Sequence, residues 1–571
     1  MHGKSLFGSR VKNVLRYFIF LELVVSALAS GGALKNGAGE LSAQARVGER
    51  LFAEPRFAQF FQMHGGGKVN SVLAAGDPAL DSIAVSSVDG SVIKNPAPEQ
   101  SLSCASCHFG AVDARPLGLP AKGTTIFGDF FERSPVSARS DKQLTTVRNT
   151  PPLVAALAGQ GLAVGWGLLH WDGEFASIED LVVGTYTGRN LGWLPTETRE
   201  ARRNFARVIR EDDGRGILAG KYGHLSYAIL LRGADAAIPD ELRLPSSFRF
   251  DPANATDEEI LQGGARLVAA YVASLHFSED QDGRYNGSPY DAFLAANYLP
   301  RAPEQGESPP EYSRRLHAAV AALRAPRFID DPTRKLELHD QAFRFGELEL
   351  RGMKLFFRGT LGYARTASAG NCAECHVPPH FTDFSFHNTG EAQDSYDAVH
   401  GLGAFARLAV PSLTERQRAP DRWLPASAVH PQGSGILRSP ALIESIGSAD
   451  LGLWNVYGNA DLPAPQSVIE RKLNHEGRLS GDEVLALTLG RFKTPTLRDL
   501  GQSAPHFHTG RMRTVDDVVN FYLRMSELAR AGKMRNAPPE FLSMSLNSAD
   551  IEPLVAFLRS LNEDYSKAAG H

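Results

Sequence analysis

Two short segments hold the residues best suited to chemistry, "LSCASCH" at 102–108 and "GNCAECH" at 370–376. Each has two cysteines three positions apart, with a histidine directly behind the second, and the two sets are Cys104, Cys107, His108 and Cys372, Cys375, His376. Residues at these spacings lie on one face of a helical turn, so both thiols can bond one porphyrin while the imidazole reaches its iron. Each segment therefore predicts one covalently bound c-type haem.

Disulfide bonds and zinc binding are the alternatives for cysteine pairs in a protein of this kind. Neither explains why a histidine follows both pairs. The chain also has only 4 cysteines, so the two segments use all of them. We therefore expect His108 to bind the iron of haem 1 and His376 to bind the iron of haem 2.

The composition is that of an ordinary globular protein. The chain has 571 residues, of which 43% are hydrophobic and 22% are charged, enough for two or more domains with cores of their own. Its net charge of -4 offers no basic surface for a nucleic acid, so that class of function is excluded.

The first 29 residues are typical of a secretory signal peptide. Basic residues precede the apolar run "YFIFLELVVSALA" at 17–29, and the small residues at its end favour cleavage after Ala29. An uncleaved membrane anchor is the alternative. The sequence thus predicts an exported, periplasmic protein.

The remaining chain reads as mainly α. Helical patterns occur at 258–275, at 346–357 and at 551–558, and no segment shows a strong strand alternation. The polar, glycine-containing stretch 278–289 reads as a linker. Because the two cysteine motifs lie far apart, we predict an N-terminal domain, 30–279, with haem 1 and a C-terminal domain, 280–571, with haem 2.

Further motifs resemble those of the bacterial di-haem cytochrome c peroxidase superfamily, which includes the tryptophan-tryptophylquinone maturation enzyme and the rubber oxygenases. Besides the two cysteine motifs, they are "GERLFAEPRF" at 48, "RNTPPLV" at 148, "HWDG" at 170, "FTDFSFHNTG" at 381, "FKTPTLRDL" at 492 and "APHFHTGRMRTVDDVVNFY" at 504. The segments at about 194–255 and 390–485 look like insertions relative to short members.

The resemblance implies two cytochrome c-like α domains, a reactive haem 1, an electron-relaying haem 2 and a calcium ion between the domains. The calcium ligands would be Asn149 and backbone carbonyls near Ser503 and Pro505, since calcium prefers oxygen ligands. The alternative is that these are turn-forming residues. Trp171 would carry electrons between the haems, or would be an ordinary core tryptophan.

Haem 1 is predicted to have an open face. Many family peroxidases close this iron with a histidine before the "RN" motif, but no His or Met occurs from Phe109 to Val147. His170 has three open roles: a proton carrier for peroxide, a sixth ligand, or a structural histidine.

The peroxidase pattern is incomplete around this face. The family positions for a distal Gln and Glu hold Leu181 and Leu191. The nearby carboxylates of Glu174, Glu179 and Asp180 could stand in for them, although the pattern of their segment favours exposed helix charges. A cavity without acid or base would also fit an oxygenase.

The far-side ligand of haem 2 is predicted on a helix that begins after Thr514. Apolar residues at helical spacing turn Tyr522 inward, where family peroxidases have methionine and the quinone-maturation enzyme has tyrosine. Met525, one turn further on, is the alternative. His508 would support haem 2 without binding its iron.

The sequence therefore predicts an exported oxidoreductase that reduces hydrogen peroxide at haem 1 with electrons from haem 2. The alternatives are an oxidase or oxygenase acting on a protein side chain or an apolar substrate, and a non-enzymatic electron carrier. The expected partners are peroxide or oxygen and a small redox protein, such as a monohaem cytochrome or a cupredoxin. The insertions would form a substrate channel or the contact of a homodimer.

Overall fold

The computed structural model describes residues 41–81, 83–85, 92–94, 101–108, 133–159, 165–336, 339–359 and 368–564. The predicted signal peptide, 1–29, lies outside these residues, as does most of the segment from Phe109 to Val147. Among the described residues, no helix combines the length and the apolar composition needed to cross a bilayer.

Helices make up most of the regular structure, and the prediction of a mainly α protein is confirmed. In chain order they are α1 (Ala43–Phe52), α2 (Gln59–His64), α3 (Ile178–Tyr186), α4 (Thr198–Glu211), α5 (Ile217–Gly220), α6 (Tyr227–Arg232), α7 (Asp257–Ala273), α8 (Pro289–Ala296), α9 (Pro309–Ala322), α10 (Glu347–Phe357), α11 (Glu391–His400), α12 (Leu413–Arg418), α13 (Pro420–Trp423), α14 (Pro463–Leu473), α15 (Gly481–Thr488), α16 (Val515–Arg530), α17 (Pro539–Ser543) and α18 (Ile551–Arg559).

The described strands are short and form three two-stranded antiparallel sheets. They are β1 (Ile83–Val85), β2 (Val92–Lys94), β3 (Ile329–Leu336), β4 (Gln341–Phe345), β5 (Phe386–Asn388) and β6 (Arg491–Lys493), paired in sequence order. The pair of β5 and β6 matters most here, because it brings the segments after the second cysteine motif and before "TPTLRDL" side by side.

The first apolar core is built around the packing of α1 against α7. The two helices approach so closely at Gly48 that an added Cβ would lie 2.0 Å from the carbonyl oxygen of Leu267. Only glycine fits at such a contact. The first cysteine motif comes after α1 in the sequence, and Cys104 packs against this first core.

The second core repeats this arrangement with other residues. Helix α10 packs against α18, and a Cβ on Gly352 would lie 1.8 Å from the carbonyl oxygen of Pro553. Both glycines open similar segments, "GERLF" at 48 and "GMKLF" at 352, each followed by a cysteine motif. The sequence similarity and the packing similarity thus describe one unit used twice.

A third core involves the predicted insertion 390–485. Tyr396, Leu451 and Trp454 of this segment are buried together with Leu168 and Trp171. The insertion therefore packs against the "HWDG" segment and contributes side chains to a buried core. The change from the first to the second core falls between Tyr285 and Tyr290, close to the predicted domain boundary at 279, which stays a prediction.

Candidate functional site

The two cysteine motifs adopt the same local structure. Cys104–Ser106 and Cys372–Glu374 each form one turn of 3₁₀ helix. In both turns the backbone N–H of the histidine donates to the carbonyl of the first cysteine, at 2.9 Å for His108 and 2.9 Å for His376. The identical hydrogen bonds give each motif the compact turn that the spacing predicted.

Each motif opens on a cavity. The first cavity has a volume of about 630 Å³ and is lined by the residues of the first motif together with His170 and Trp171. The second cavity has a volume of about 160 Å³ and is lined by the second motif and by Tyr522. Trp171 lines both, so the two cavities are neighbours.

The residues of both motifs fit a c-type haem. None of the four cysteines forms a disulfide, and burial raises the pKa of Cys104 and of Cys372 to about 12. Among the described residues, no cysteine belongs to a group of three or more side chains that could share one metal ion, as a zinc site would require. Burial also lowers the pKa of His108 and His376 to about 4, so both imidazoles are neutral and able to bind a metal.

The second motif shows how its histidine is oriented. Nδ1 of His376 lies 3.1 Å from the carbonyl oxygen of Phe381. A carbonyl can only accept, so Nδ1 carries the proton and Nε2 keeps the lone pair. This is the usual orientation of a metal-binding histidine.

The first cavity contains a histidine–carboxylate–guanidinium chain. Nδ1 of His170 lies 2.6 Å from Oε1 of Glu174, and Oε2 of Glu174 lies 2.7 Å from Nη2 of Arg438. All three residues line the cavity. His170 has a φ of 70°, in the left-handed region that non-glycine residues seldom adopt, so the surrounding structure must hold it in place.

Two further carboxylates, of Asp172 and Asp450, and a second arginine, Arg148, extend this charged network. Oδ2 of Asp172 lies 2.6 Å from Nη1 of Arg148 and 3.1 Å from Nε of Arg438. Arg148 also pairs with Asp450, with Nε 2.5 Å from Oδ2. Arg148 and Arg438 thus join the "HWDG" segment to the insertion, since Arg438 and Asp450 both belong to 390–485.

The charges in this network keep Glu174 ionised. Burial by itself raises the pKa of Glu174, but the charges of Arg438 and His170 outweigh burial and leave it well below its usual range.

The ligand atoms of His170, Asp172 and Glu174 lie within 4.8 Å of one another, as a metal site would require. Two guanidinium groups already balance the carboxylates, which disfavours a metal ion there.

The expectation that Glu174 is an exposed helix charge is wrong. Its side chain is 11% exposed and precedes α3, which begins at Ile178. Asp180 is exposed and lies in the first turn of that helix, as expected. The spacing of four residues between His170 and Glu174 was the available signal. No sequence signal pointed to Arg438, because it lies in the insertion.

Trp171 and Lys493 fill the space between the cavities. The indole Nε1 of Trp171 donates to the carbonyl of Asn149 at 2.6 Å, and its own carbonyl accepts from the backbone N–H of Lys493 at 2.8 Å. Both side chains line both cavities. The ammonium of Lys493 donates to the carbonyl of Leu168 at 2.8 Å, and burial lowers its pKa to about 8.

The predicted calcium residues are only partly brought together. The Asn149 amide nitrogen donates to the carbonyls of Pro505 and Phe507. Ser503 lines the second cavity, and its hydroxyl donates to the carbonyl of Leu500 at 3.4 Å. A calcium ion near Asn149 would need this amide reversed, so that its oxygen joins the carbonyls. The calcium site stays a prediction.

Of the two predicted far-side ligands of haem 2, only Tyr522 faces the second cavity. Burial raises the pKa of Tyr522 well above its usual range. Thr514 caps α16 through the backbone N–H of Asp517, as predicted. Met525 is fully buried one turn on, in an apolar cluster with Phe521 against which Tyr522 packs, and it does not line the cavity. The structure therefore does not bring Met525 to the cavity.

His508 also lines the second cavity. Its ring stacks on Phe492, with 3.4 Å between ring centroids, and its Nε2 lies 3.2 Å from Oε2 of Glu391. Burial raises the pKa of Glu391 to about 7 and lowers that of His508 to about 3. Sequence reasoning missed Glu391, which opens helix α11 in the insertion.

No protein-family model matches the chain. Two curated proteins of Denitromonas iodatirespirans are similar to parts of it. The cytochrome-c peroxidase IdrP2 is 23% identical over 201 residues, 35% of this chain and 38% of the relative. The cytochrome-c peroxidase IdrP1 is 31% identical over 74 residues, 13% of this chain and 18% of the relative. The matches thus span well under half the length of either relative.

Among solved structures, the chain is similar to the diheme peroxidase BthA from Burkholderia thailandensis. The two are 16% identical, with a TM-score of 0.40, over 92% of this chain and 88% of the other.

Proposed function

We propose that this chain, a member of the bacterial di-haem cytochrome c peroxidase superfamily, reduces hydrogen peroxide in its first cavity. Two electrons and two protons convert one peroxide into two waters. A small redox protein, such as a monohaem cytochrome or a cupredoxin, would supply the electrons through haem 2. The protein would act in the periplasm after removal of the signal peptide.

The observation that carries this proposal is the chain of His170, Glu174 and Arg438. The sequence alone left the acid and base of this cavity open, and a cavity without them would also have fitted an oxygenase. An imidazole 2.6 Å from a carboxylate that is itself 2.7 Å from a guanidinium supplies both proton transfer and positive charge. Peroxide reduction needs both, whereas an apolar cavity favours oxygen chemistry.

The first cavity would hold a haem through Cys104 and Cys107, with His108 on its iron. When bound, the haem supplies a redox-active iron with an open face at which the O–O bond can be reduced. Glu174 fixes the proton of His170 on Nδ1, which leaves Nε2 as the base. This nitrogen can take a proton from the near oxygen of peroxide and return it to the far oxygen, which then leaves as water.

Arg438 would assist by charge. Its guanidinium holds Glu174 ionised, so the carboxylate continues to orient His170 while protons move. The same group lies at the cavity wall, where positive charge favours the anionic oxygen that forms as the O–O bond breaks. His170 would therefore act as a proton carrier, and the two alternatives of a sixth ligand and a purely structural histidine are less well supported.

Electrons would reach the first cavity through Trp171. Its side chain lines both cavities, and the backbone hydrogen bond to Lys493 fixes its position. The second cavity would hold haem 2 through Cys372 and Cys375, with His376 and Tyr522 on its iron. A calcium ion at Asn149, Ser503 and Pro505, two haem domains divided near 279, and a homodimer belong to the same proposal.

An oxidase of the quinone-maturation kind is the second candidate, and Tyr522 is the observation that favours it. A phenolate is a hard, anionic ligand and stabilises higher oxidation states, whereas methionine raises the potential for electron transfer. Such an enzyme would use peroxide or oxygen to oxidise a protein side chain.

A turnover measurement separates these candidates. The purified di-haem protein is mixed with peroxide and a reduced cytochrome c donor, and both are followed. A peroxidase oxidises two donors for each peroxide consumed and does so steadily. Consumption of peroxide without steady donor oxidation would overturn the proposal in favour of the oxidase. A ferric EPR spectrum without any high-spin signal would favour the electron carrier.

A further inference from the structure

A tyrosine and a histidine outside the charged network form a hydrogen-bonded pair. The phenol oxygen of Tyr285 lies 2.8 Å from Nδ1 of His380, and the two rings meet edge to face at 5.6 Å. His380 lines the first cavity. Tyr285 belongs to the predicted linker 278–289. The pair therefore connects the first cavity to the segment between the two cores.

The phenol is the donor in this hydrogen bond. Burial, together with the charge of Arg498, lowers the pKa of His380 to about 4, so its ring is neutral and one nitrogen is free to accept. Burial raises the pKa of Tyr285 above its usual range. Among the described residues, no other acceptor lies within hydrogen-bonding distance of this phenol. In the resting protein the proton thus stays on Tyr285.

This arrangement matters because a phenol is difficult to oxidise while it keeps its proton. A base already in contact can take the proton as the electron leaves. The guanidinium carbon of Arg498 lies 4.1 Å from the centre of the Tyr285 ring, and Arg498 also pairs with Asp291 at 2.9 Å. Positive charge over the ring disfavours a cationic radical, so oxidation that releases the proton is the favourable route.

We propose that Tyr285 is a redox-active residue that gives one electron to the first haem site during peroxide reduction while its proton passes to His380. The O–H bond of the phenol breaks, the proton binds Nδ1, and the electron goes to the haem site. Tyr285 becomes a neutral phenoxyl radical and His380 an imidazolium. Peroxide takes two electrons, of which Tyr285 gives one, and the second would come from the haem site.

This inference rests on the proposed function and extends it. An external one-electron donor returns an electron to Tyr285, and His380 returns the proton, so both residues recover. The oxidising power of the first cavity would then be available at the linker. Tyr285 is itself buried, but Arg284 beside it is exposed, so a one-electron donor too large to enter the cavity could be oxidised from the surface of the linker.

Rapid freezing after peroxide addition tests the proposal. The di-haem protein is mixed with one equivalent of peroxide and no donor, and EPR spectra are recorded with and without ring-deuterated tyrosine. We expect a tyrosyl radical in the wild type and its loss in Tyr285→Phe. In His380→Gln the radical should form more slowly by on the order of 100-fold, because the base is gone, while the change in the haem absorption remains.

Tyr186→Phe is the matched control. The Tyr186 phenol adjoins Cys104 but donates to the carbonyl of Leu51 at 2.9 Å, and a carbonyl cannot take the proton. We expect this variant to keep the radical. Loss of the radical in Tyr186→Phe, or its persistence in Tyr285→Phe, would overturn the inference.

Two measurements keep the test independent of folding and of the proposed function. A spin trap added to the wild type, followed by peptide mass spectrometry, should label the peptide that contains Tyr285, and a label elsewhere would contradict the inference. If peroxide changes the haem absorption but yields no radical at Tyr285, only the inference fails. If peroxide leaves the haem absorption unchanged, the proposed function fails as well.

Discussion

Each cavity is lined by a cysteine motif with the same 3₁₀ turn, and the two cavities differ in the other side chains that line them. Each cavity is also lined by a histidine that meets a glutamate: His170 meets Glu174, which lines the first cavity too, and His508 meets Glu391, which does not line the second. The pKa of Glu174 lies well below its usual range, whereas that of Glu391 is raised to about 7. Two pairs of the same residue types therefore differ in the direction in which the pKa of the carboxyl group is shifted.

The nearest cation explains the difference. Arg438 lies 2.7 Å from Glu174, but Arg511 lies 3.8 Å from Glu391. Burial raises the pKa of both carboxyl groups, and only the close guanidinium outweighs it. An ionised carboxylate beside His170 suits proton transfer in the first cavity.

The largest effect should follow from removing the base of the first cavity. In His170→Gln we expect steady-state peroxide reduction to fall by about 100- to 10,000-fold, the usual contribution of a general acid–base group. Haem content should not change. The measurement is kcat/KM for peroxide with a reduced cytochrome c donor.

His430→Gln is the control for this variant. Nδ1 of His430 lies 2.9 Å from Oδ2 of Asp461, a similar histidine–carboxylate pair that lines neither cavity. Its kcat/KM should match the wild type. Equal losses in both variants would show that the position of His170 in the first cavity has no special role.

Glu391, which lies beside His508, has a carboxyl group whose raised pKa predicts a dependence of stability on pH. A group whose folded pKa is raised stabilises the fold below its unfolded pKa and loses that contribution as pH rises through the folded pKa. For Glu391 the window runs from its ordinary value of 4.5 to about 7. We expect the wild type to lose on the order of 3 kcal/mol of stability across this window relative to Glu391→Gln.

Chemical denaturation of both proteins at several pH values measures this difference. Glu552→Gln, a change at an exposed residue of α18, is the control and should follow the wild type. A constant difference between Glu391→Gln and the wild type across the window would mean that Glu391 is ionised in the fold, like Glu174.

Tyr522→Met tests whether the side chain of Tyr522 is the far-side ligand of haem 2. In Tyr522→Met the midpoint potential of one haem should rise by on the order of 100 mV, because a thioether replaces an anionic oxygen ligand. Spectroelectrochemical titration measures this shift. Met525→Leu should leave both potentials unchanged, since Met525 does not line the second cavity. A shift in Met525→Leu alone would reverse the assignment.

The sequence was informative where chemistry depends on short spacings. The two cysteine motifs, the cap of α16 at Thr514 and the inward position of Tyr522 all follow from residues within one or two helical turns. It was uninformative where partners are distant. Arg148 and Asp450 are 302 positions apart, and Arg438 and Glu391 lie in a segment that read as an insertion. Charge states that depend on such pairs could not be predicted from either partner alone.

Arg438→Gln should make the pair of His170 and Glu174 resemble the pair of His508 and Glu391. Arg438→Gln removes the close cation from Glu174, so burial should raise the pKa of this carboxyl toward that of Glu391. A protonated Glu174 no longer places a negative charge beside Nδ1 of His170, and the imidazole loses the group that orients it. Activity at neutral pH should fall by about 100-fold or more, because the guanidinium also stabilises the developing anion. The remaining activity should be lost at a higher pH than in the wild type as the solution is acidified.

The pH profile of kcat/KM for peroxide measures this change. A depressed carboxyl pKa keeps the ionised form down to low pH, so the acid limb of the wild-type profile should lie below that of the variant. Arg511→Gln is the matched change at the second cavity and should not move the acid limb. If the acid limbs of Arg438→Gln and the wild type coincide, the guanidinium does not set the charge of Glu174, and the contrast between the two cavities must have another cause.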